Sequence, residues 1–229
     1  MSNIIAFGDS IMKGVITDPT TVCEGTIKYK ISDQSFVSKW EERMGRPISN
    51  FSRFGSTILG GLKYMERYFK EIQPQDTVVL EFGGNDCNFD WKAIAENPEA
   101  DHQPYTTVKV FHETYSRTID KITAMRAQPV MLSLPTIDSK KFFDFVSYGL
   151  NTENIMKWLG GDVNHINNWH EQYNLEIFKL GAEKNVPVID ITSTFLEKSD
   201  LQNYYCEDGM HPNEAGHALI AEAIMNFRL

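Results

Sequence analysis

Short apolar runs alternate along the chain with stretches where apolar residues recur every three or four positions. The runs fall at residues 3–7, 77–82, 129–134 and 186–191, with a weaker one at 47–51. Several stop at punctuating residues: Phe7 at Gly8, Phe82 at Gly83-Gly84, Leu134 at Pro135. Near-continuous apolar runs of this length suit strands buried on both faces. Between them, Ile58, Leu62, Met65, Phe69 and Ile72 step by four and three. So do Val108, Phe111, Tyr115, Ile119 and Ile122, and again Ile166, Trp169, Tyr173, Ile177 and Leu180. These are core-facing helical stripes. Shorter helices are predicted over 36–44 and 214–227. Strand–helix alternation of this kind argues for an α/β architecture, a parallel sheet with helices on both faces. Three stretches stay outside the pattern: 15–33, 86–107 and 139–163. Loops that long are usually functional or mobile. The third is rich in aromatics, Phe142, Phe143, Phe145, Tyr148 and Trp158, which are read first as packing for an insertion. No repeat, low-complexity tract or linker interrupts the chain, so one domain over 1–229 is expected.

Composition narrows the function classes. The chain has 229 residues, 41% hydrophobic and 23% charged, as an ordinary globular protein would. A net charge of −9 argues against nucleic acid, which needs clustered Lys and Arg. It also gives no pull towards anionic lipid. No apolar stretch is long enough for a membrane span, and the N-terminus lacks the basic region of a signal peptide. Cys23, Cys87 and Cys206 are widely spaced and odd in number, which fits neither a disulfide framework nor a zinc site. The expectation is a cytoplasmic protein with reduced thiols. Oligomeric state is not readable from the sequence.

In an open parallel sheet, ligands bind beyond the carboxyl ends of the strands. The first run is followed by Gly8-Asp9-Ser10, the second by Asn50 to Thr57 and the third by Gly83-Gly84-Asn85-Asp86. Beyond the last comes Asp208-Gly209-Met210-His211-Pro212. Together they supply the parts for acyl transfer. A serine hydroxyl is a weak nucleophile until a base takes its proton, and His211 can be that base. Asp208, three residues earlier, can hold the imidazole tautomer. The N–H groups of Ser10 and Gly55 and the amide of Asn85 can serve a developing oxyanion. Each piece alone has a plain structural reading: a turn at Gly8-Asp9-Ser10, a positive φ at Gly55, a cap at Asn85-Asp86, and Asp208 and His211 flanking a helix opened by Pro212. Their common placement after predicted strands favours a site.

At these residues the chain resembles the SGNH hydrolases, the GDSL esterase/lipase family. "FGDSIMKG" (7–14) is similar to the family's first block, "NFSRFGSTILGG" (50–61) to its second, "FGGNDC" (82–87) to its third and "DGMHP" (208–212) to its fifth. The resemblance implies Ser10 as nucleophile, Asp208 and His211 as the rest of a triad, and Ser10, Gly55 and Asn85 as the oxyanion hole. It implies a three-layer flavodoxin-like fold with a five-stranded parallel sheet in order 2-1-3-4-5, no cofactor, and a small-molecule acyl ester as substrate. The first block has Ile11 where the family name has leucine. Arg53-Phe54 precede Gly55 where smaller residues are common, so they are expected to crowd or charge one wall of the site. Gly8 is read as the sharp turn leaving the first strand, and Asp9 as a structural residue bonded to neighbouring loop groups.

Two rival readings come from other classes. One is an inactive small-molecule-binding module on the same fold, since fold alone does not give function. The other is a metal-dependent phosphoesterase using Asp9, Asp86, Asp208 and His211, although no paired-ligand spacing accompanies them. A flavin site lacks a Ser/Thr-rich phosphate cradle after the first strand. His165 and His170 read as surface or boundary groups, His217 as a residue of the terminal helix, and His102 and His112 have no identified partners. Cys87 reads as a buried structural thiol. Residues 139–163, with Phe89 and Trp91, can also shape an acyl or sugar pocket.

Overall fold

The computed structural model describes residues 2–18, 20 and 27–227. Cys23 lies outside them. The predicted strands form β1 (Ile4–Gly8), β4 (Ser49–Asn50), β5 (Thr77–Glu81), β6 (Gln128–Leu132) and β7 (Val188–Ile189). They make one parallel sheet in order β4-β1-β5-β6-β7. Counted along the sheet's own strands this is 2-1-3-4-5. Two more strands, β2 (Val15–Thr17) and β3 (Tyr29–Ile31), pair antiparallel in the stretch expected to be irregular.

Alternation along the strands builds the three layers, because successive side chains point to opposite faces. Ile5, Phe7, Val78, Leu80 and Met131 face one side. There they meet α3 (Ile58–Met65), α5 (Val108–Ala124) and α8 (His165–Lys184) through the predicted stripes, except that Ile166 and Trp169 of the α8 stripe join a separate apolar cluster. Leu62 is only half-buried, and Phe69 and Ile72 fall after α3 in a 3-10 turn and its cap. Ile4, Ala6, Val79, Val130, Leu132 and Ile189 face the other side. They pack on α2 (Phe36–Met44), α9 (Thr192–Leu196) and α10 (Glu214–Asn226). Full burial of one such aliphatic side chain contributes about 1.5–3 kcal/mol, so each face is a substantial core.

The remaining helices lie at the sheet's carboxyl end. They are α1 (Ser10–Lys13), α4 (Trp91–Glu96), α6 (Ser139–Val146) and α7 (Thr152–Trp158). The stretches 86–107 and 139–163 are therefore partly helical. Their helices were hidden because each is only six to eight residues long, too short for a period to show. They share a third apolar cluster, with Phe89, Trp91, Ile94, Phe142, Ile155 and Leu159 buried. Trp158 packs edge-on against Phe89 at 4.9 Å and tilted on Trp169 at 4.7 Å. Among the described residues no helix is long and apolar enough to cross a membrane.

Candidate active site

Ser10 is the first residue of α1, immediately after β1. Asp9 caps that helix, accepting the Ile11 N–H at 2.8 Å. A helix start leaves its first N–H groups without intrahelical partners, so the Ser10 N–H is free of the α1 ladder. Gly8 makes this exit possible, but not by a left-handed turn, since its φ is not positive. A Cβ there would lie 2.6 Å from Met12 Cβ and 2.7 Å from the Glu81 carbonyl oxygen. Gly8 is needed because β5 and α1 approach it too closely for a side chain.

The loop before α10 carries the partner groups. Asp208 Oδ1 accepts the N–H of Met210 at 3.1 Å and of His211 at 3.0 Å. That local turn folds the Asp-x-x-His spacing back on itself, and His211 Nδ1 sits 2.7 Å from Asp208 Oδ2. The loop is pinned from outside: Cys206 N–H donates to the His211 carbonyl at 2.8 Å, and Asp138 N–H to the Gly209 carbonyl at 2.9 Å. Asn213, not Pro212, caps α10, accepting from Ala215 N–H and Gly216 N–H.

These two elements, 201 positions apart, meet at one point. His211 Nε2 lies 2.8 Å from Ser10 Oγ. Ser10, Asp208 and His211 are all buried, at 5%, 0% and 2% exposure. Burial pushes the Asp208 carboxyl up, but the hydrogen bonds and charge of His211 outweigh it and hold the group below its usual value. An ionised Asp208 accepts from Nδ1–H, which leaves Nε2 as the nitrogen able to accept the serine proton. Two rings cover the imidazole. Tyr29, brought in by β3, lies 5.1 Å from it, and Phe54 stacks at 5.9 Å with a 16° tilt. Burial and the nearby Asp208 carboxylate push the Tyr29 hydroxyl's pKa up. Phe54 thus crowds the wall as expected. Arg53 does not charge it, because its guanidinium sits over the Tyr64 ring at 4.6 Å.

Asn85 and Gly55 complete the surroundings. Asn85 Nδ2 donates to Asp9 Oδ2 at 2.8 Å, which turns the amide nitrogen towards the serine loop and keeps a second N–H for another acceptor. Gly55 has a φ of +69°, the left-handed region glycine tolerates. Its N–H makes no backbone bond among the described residues. Asp86 does not cap a helix of its own segment: both its oxygens take the Ile58 N–H at 3.0 Å, at the start of α3, whose N-cap is Thr57. Burial raises its pKa to about 7.

A cavity of about 90 Å³ opens beside Ser10, His211 and Asn85, walled by Phe54, Phe89, Trp91, Phe142, Trp169 and Met210. Of the insertion aromatics, Phe89, Trp91 and Phe142 line the cavity, Phe143 and Trp158 pack in the third cluster without lining it, and Tyr148 is exposed. His170 also lines it and is 5% exposed, against the expectation of a surface or boundary group. Its Nδ1 has no hydrogen-bond partner among the described residues and lies 3.6 Å from Glu171 Oε1. His165 is exposed, as expected. His112 pairs with Glu176 at 2.9 Å and Glu183 at 3.3 Å, and His102 Nε2 lies 2.8 Å from the Asn97 carbonyl oxygen, partners the sequence did not supply. Cys87 lines the cavity too, and burial raises its thiol.

The carboxylates of the metal reading are committed elsewhere. Asp9, Asp86 and Asp208 each spend oxygens on backbone or side-chain donors within the fold. No group of three or more His, Cys, Asp or Glu arranged to hold a metal ion occurs among the described residues. Sequence reasoning missed Tyr29 and Glu81. Tyr29 sits in a stretch without a readable period. Glu81 did leave a signal, as the one charged residue inside the otherwise apolar run 77–82.

Comparison with known proteins bears on the fold and the family. No curated protein sequence matches the chain. Among solved structures, it is similar to a lipase/acylhydrolase from Enterococcus faecalis, at 20% identity and a TM-score of 0.65, covering 98% of this chain and 93% of that one. A lipolytic protein of the G-D-S-L family from Veillonella parvula matches at 19% identity and 0.66 over the whole of both chains. The acetyl xylan esterase AlAXEase matches at 19% and 0.62, covering 97% and 98%. At these identities the structures speak for the fold. The family model described as GDSL-like Lipase/Acylhydrolase matches residues 4–224, and so the chain belongs to the GDSL-like lipase/acylhydrolase family.

Proposed function

We propose that the protein is a serine ester hydrolase that cleaves small acyl esters through an acyl-enzyme on Ser10. The observation that carries this reading is the hydrogen-bond chain Asp208–His211–Ser10, at 2.7 and 2.8 Å, ending beside the cavity. His211 Nε2 takes the Ser10 proton as Oγ attacks the ester carbonyl. The carbonyl oxygen gains charge, and the N–H groups of Ser10, Gly55 and Asn85 Nδ2 are the donors assigned to it. His211 then returns the proton to the departing alcohol, and water, activated by the same nitrogen, releases the acid.

The cavity bounds the acyl group. At roughly 15 Å³ for each water-sized group, about 90 Å³ holds on the order of six non-hydrogen atoms. Acetyl to about pentanoyl groups fit that space, and its aromatic wall suits an unbranched aliphatic chain. The similar structures of an acetyl xylan esterase and a lipase/acylhydrolase support ester chemistry.

The test is hydrolysis of p-nitrophenyl esters from acetate to palmitate by the wild type and Ser10→Ala, with fluorophosphonate labelling of Ser10. Turnover confined to chains of about five carbons or fewer, lost in Ser10→Ala, is expected. An inert wild type that the fluorophosphonate does not label refutes the reading.

A further inference from the structure

The triad leaves unused a second pair of buried acids directly behind the serine. Glu81 ends β5 and is fully buried. Its Oε2 accepts the N–H of Met12 at 3.2 Å and of Asp9 at 3.4 Å. Its Oε1 is enclosed and receives no donor among the described residues. The Asp9 carboxyl is buried as well, close enough to Glu81 for each group to act on the other. Asp9 spends Oδ1 on the Ile11 N–H at 2.8 Å and Oδ2 on Asn85 Nδ2 at 2.8 Å.

Two carboxylates this close together away from water cannot both be ionised. Asp9 accepts on both oxygens, so it is the carboxylate. Glu81, with one oxygen lacking any N–H donor, carries the proton. Burial, then the charge of Asp9, raises Glu81 well above the usual carboxyl value. The consequence lies at Asn85. An amide can present either its oxygen or its nitrogen to a substrate, and only an acceptor at Asp9 holds the nitrogen end in place.

We propose that Glu81 is a positioning residue for ester hydrolysis: as a neutral acid beside Asp9, it fixes Asp9 as the acceptor that aims the Asn85 N–H at the oxyanion. The inference rests on the ester-hydrolase reading and adds a layer behind its oxyanion hole. It separates from a purely structural role for Glu81, which would alter melting temperature and leave turnover per labelled site untouched.

The experiment measures kcat and KM on p-nitrophenyl butyrate, normalised to the fraction of Ser10 labelled by fluorophosphonate, alongside melting curves. Glu81→Gln keeps a donor and an acceptor and is expected within about threefold of wild type. Glu81→Ala is expected to lose kcat by about 10- to 100-fold with KM nearly unchanged, because the donor is misaimed rather than removed. Asp9→Asn sets an amide against the Asn85 amide and is expected to lose about 100-fold or more in kcat. Should Glu81→Ala fail to fold, the other two variants decide. The proposal is overturned if Glu81→Gln is as impaired as Asp9→Asn, or if folded Asp9→Asn keeps wild-type kcat. A wild type with neither turnover nor labelling overturns the hydrolase reading itself, which is a distinguishable result.

Discussion

Gly209 stands inside the Asp208–His211 turn, and its replacement by alanine gives the sharpest test of how that turn is held. Its φ is +72°, and a Cβ would point into the first turn of α6. There it would lie 2.5 Å from the Phe142 nitrogen, 2.7 Å from the Asp138 carbonyl oxygen and 2.7 Å from Lys141 Cβ. The first two are backbone atoms, so no side chain can rotate away. Restoring an ordinary contact of about 3.5 Å requires the turn and α6 to part by roughly 1 Å. Left-handed alanine costs about 1–2 kcal/mol, and overpacking adds about 1–3 kcal/mol. For a chain of this size the melting temperature should fall by roughly 5–15 °C. The turn carries both the proposed base, His211, and its partner Asp208, and a shift of about 1 Å at a catalytic group costs on the order of 100-fold in rate. Gly45→Ala is the control. Gly45 has a φ of +64° at the end of α2, but nothing lies within 4 Å of its would-be Cβ. It should lose only the backbone strain and keep kcat. Assays of p-nitrophenyl butyrate turnover and thermal melting on both variants check this. Gly209→Ala with wild-type kcat and melting temperature would refute the idea that α6 braces the turn.

Two further outcomes are expected. Asp208→Asn offers an N–H where His211 Nδ1–H needs an acceptor, so kcat should fall by on the order of 10,000-fold with the fold intact; a melting curve and steady-state kinetics check it. His217, fully buried against Phe36, has its pKa lowered to about 4, chiefly by burial. The unfolded chain takes up this proton near pH 6.5 and the folded one does not until about pH 4, so the stability present above pH 6.5 drains away as the pH falls through that window. The whole effect is on the order of 3 kcal/mol. Urea unfolding of wild type and His217→Leu at pH 4.5, 5.5 and 6.5 should show the wild type losing stability relative to the variant as the pH drops. A difference constant with pH sinks the assignment.

By itself the sequence determined the layered α/β plan, because runs buried on both faces and stripes at helical spacing are local patterns. It also picked out the candidate site residues, since Ser10 opens a helix, Asn85 follows a strand and His211 stands just before a helix, each within a short, recognisable phrase. The sheet order was legible only through resemblance, because nothing in β1 or β5 states which neighbour it takes. Tertiary structure alone decided what lies between those phrases. Tyr29 reaches His211 only because β3 folds back on β2, and such a short hairpin carries no period. Phe89, Trp91 and Phe142 become a cavity wall only when short helices from two insertions pack together. The state of Glu81 depends on meeting Asp9, a contact spanning 72 positions. Charge and hydrogen bonding act through space, so a carboxyl group acquires its working protonation state only when the fold has chosen its neighbours.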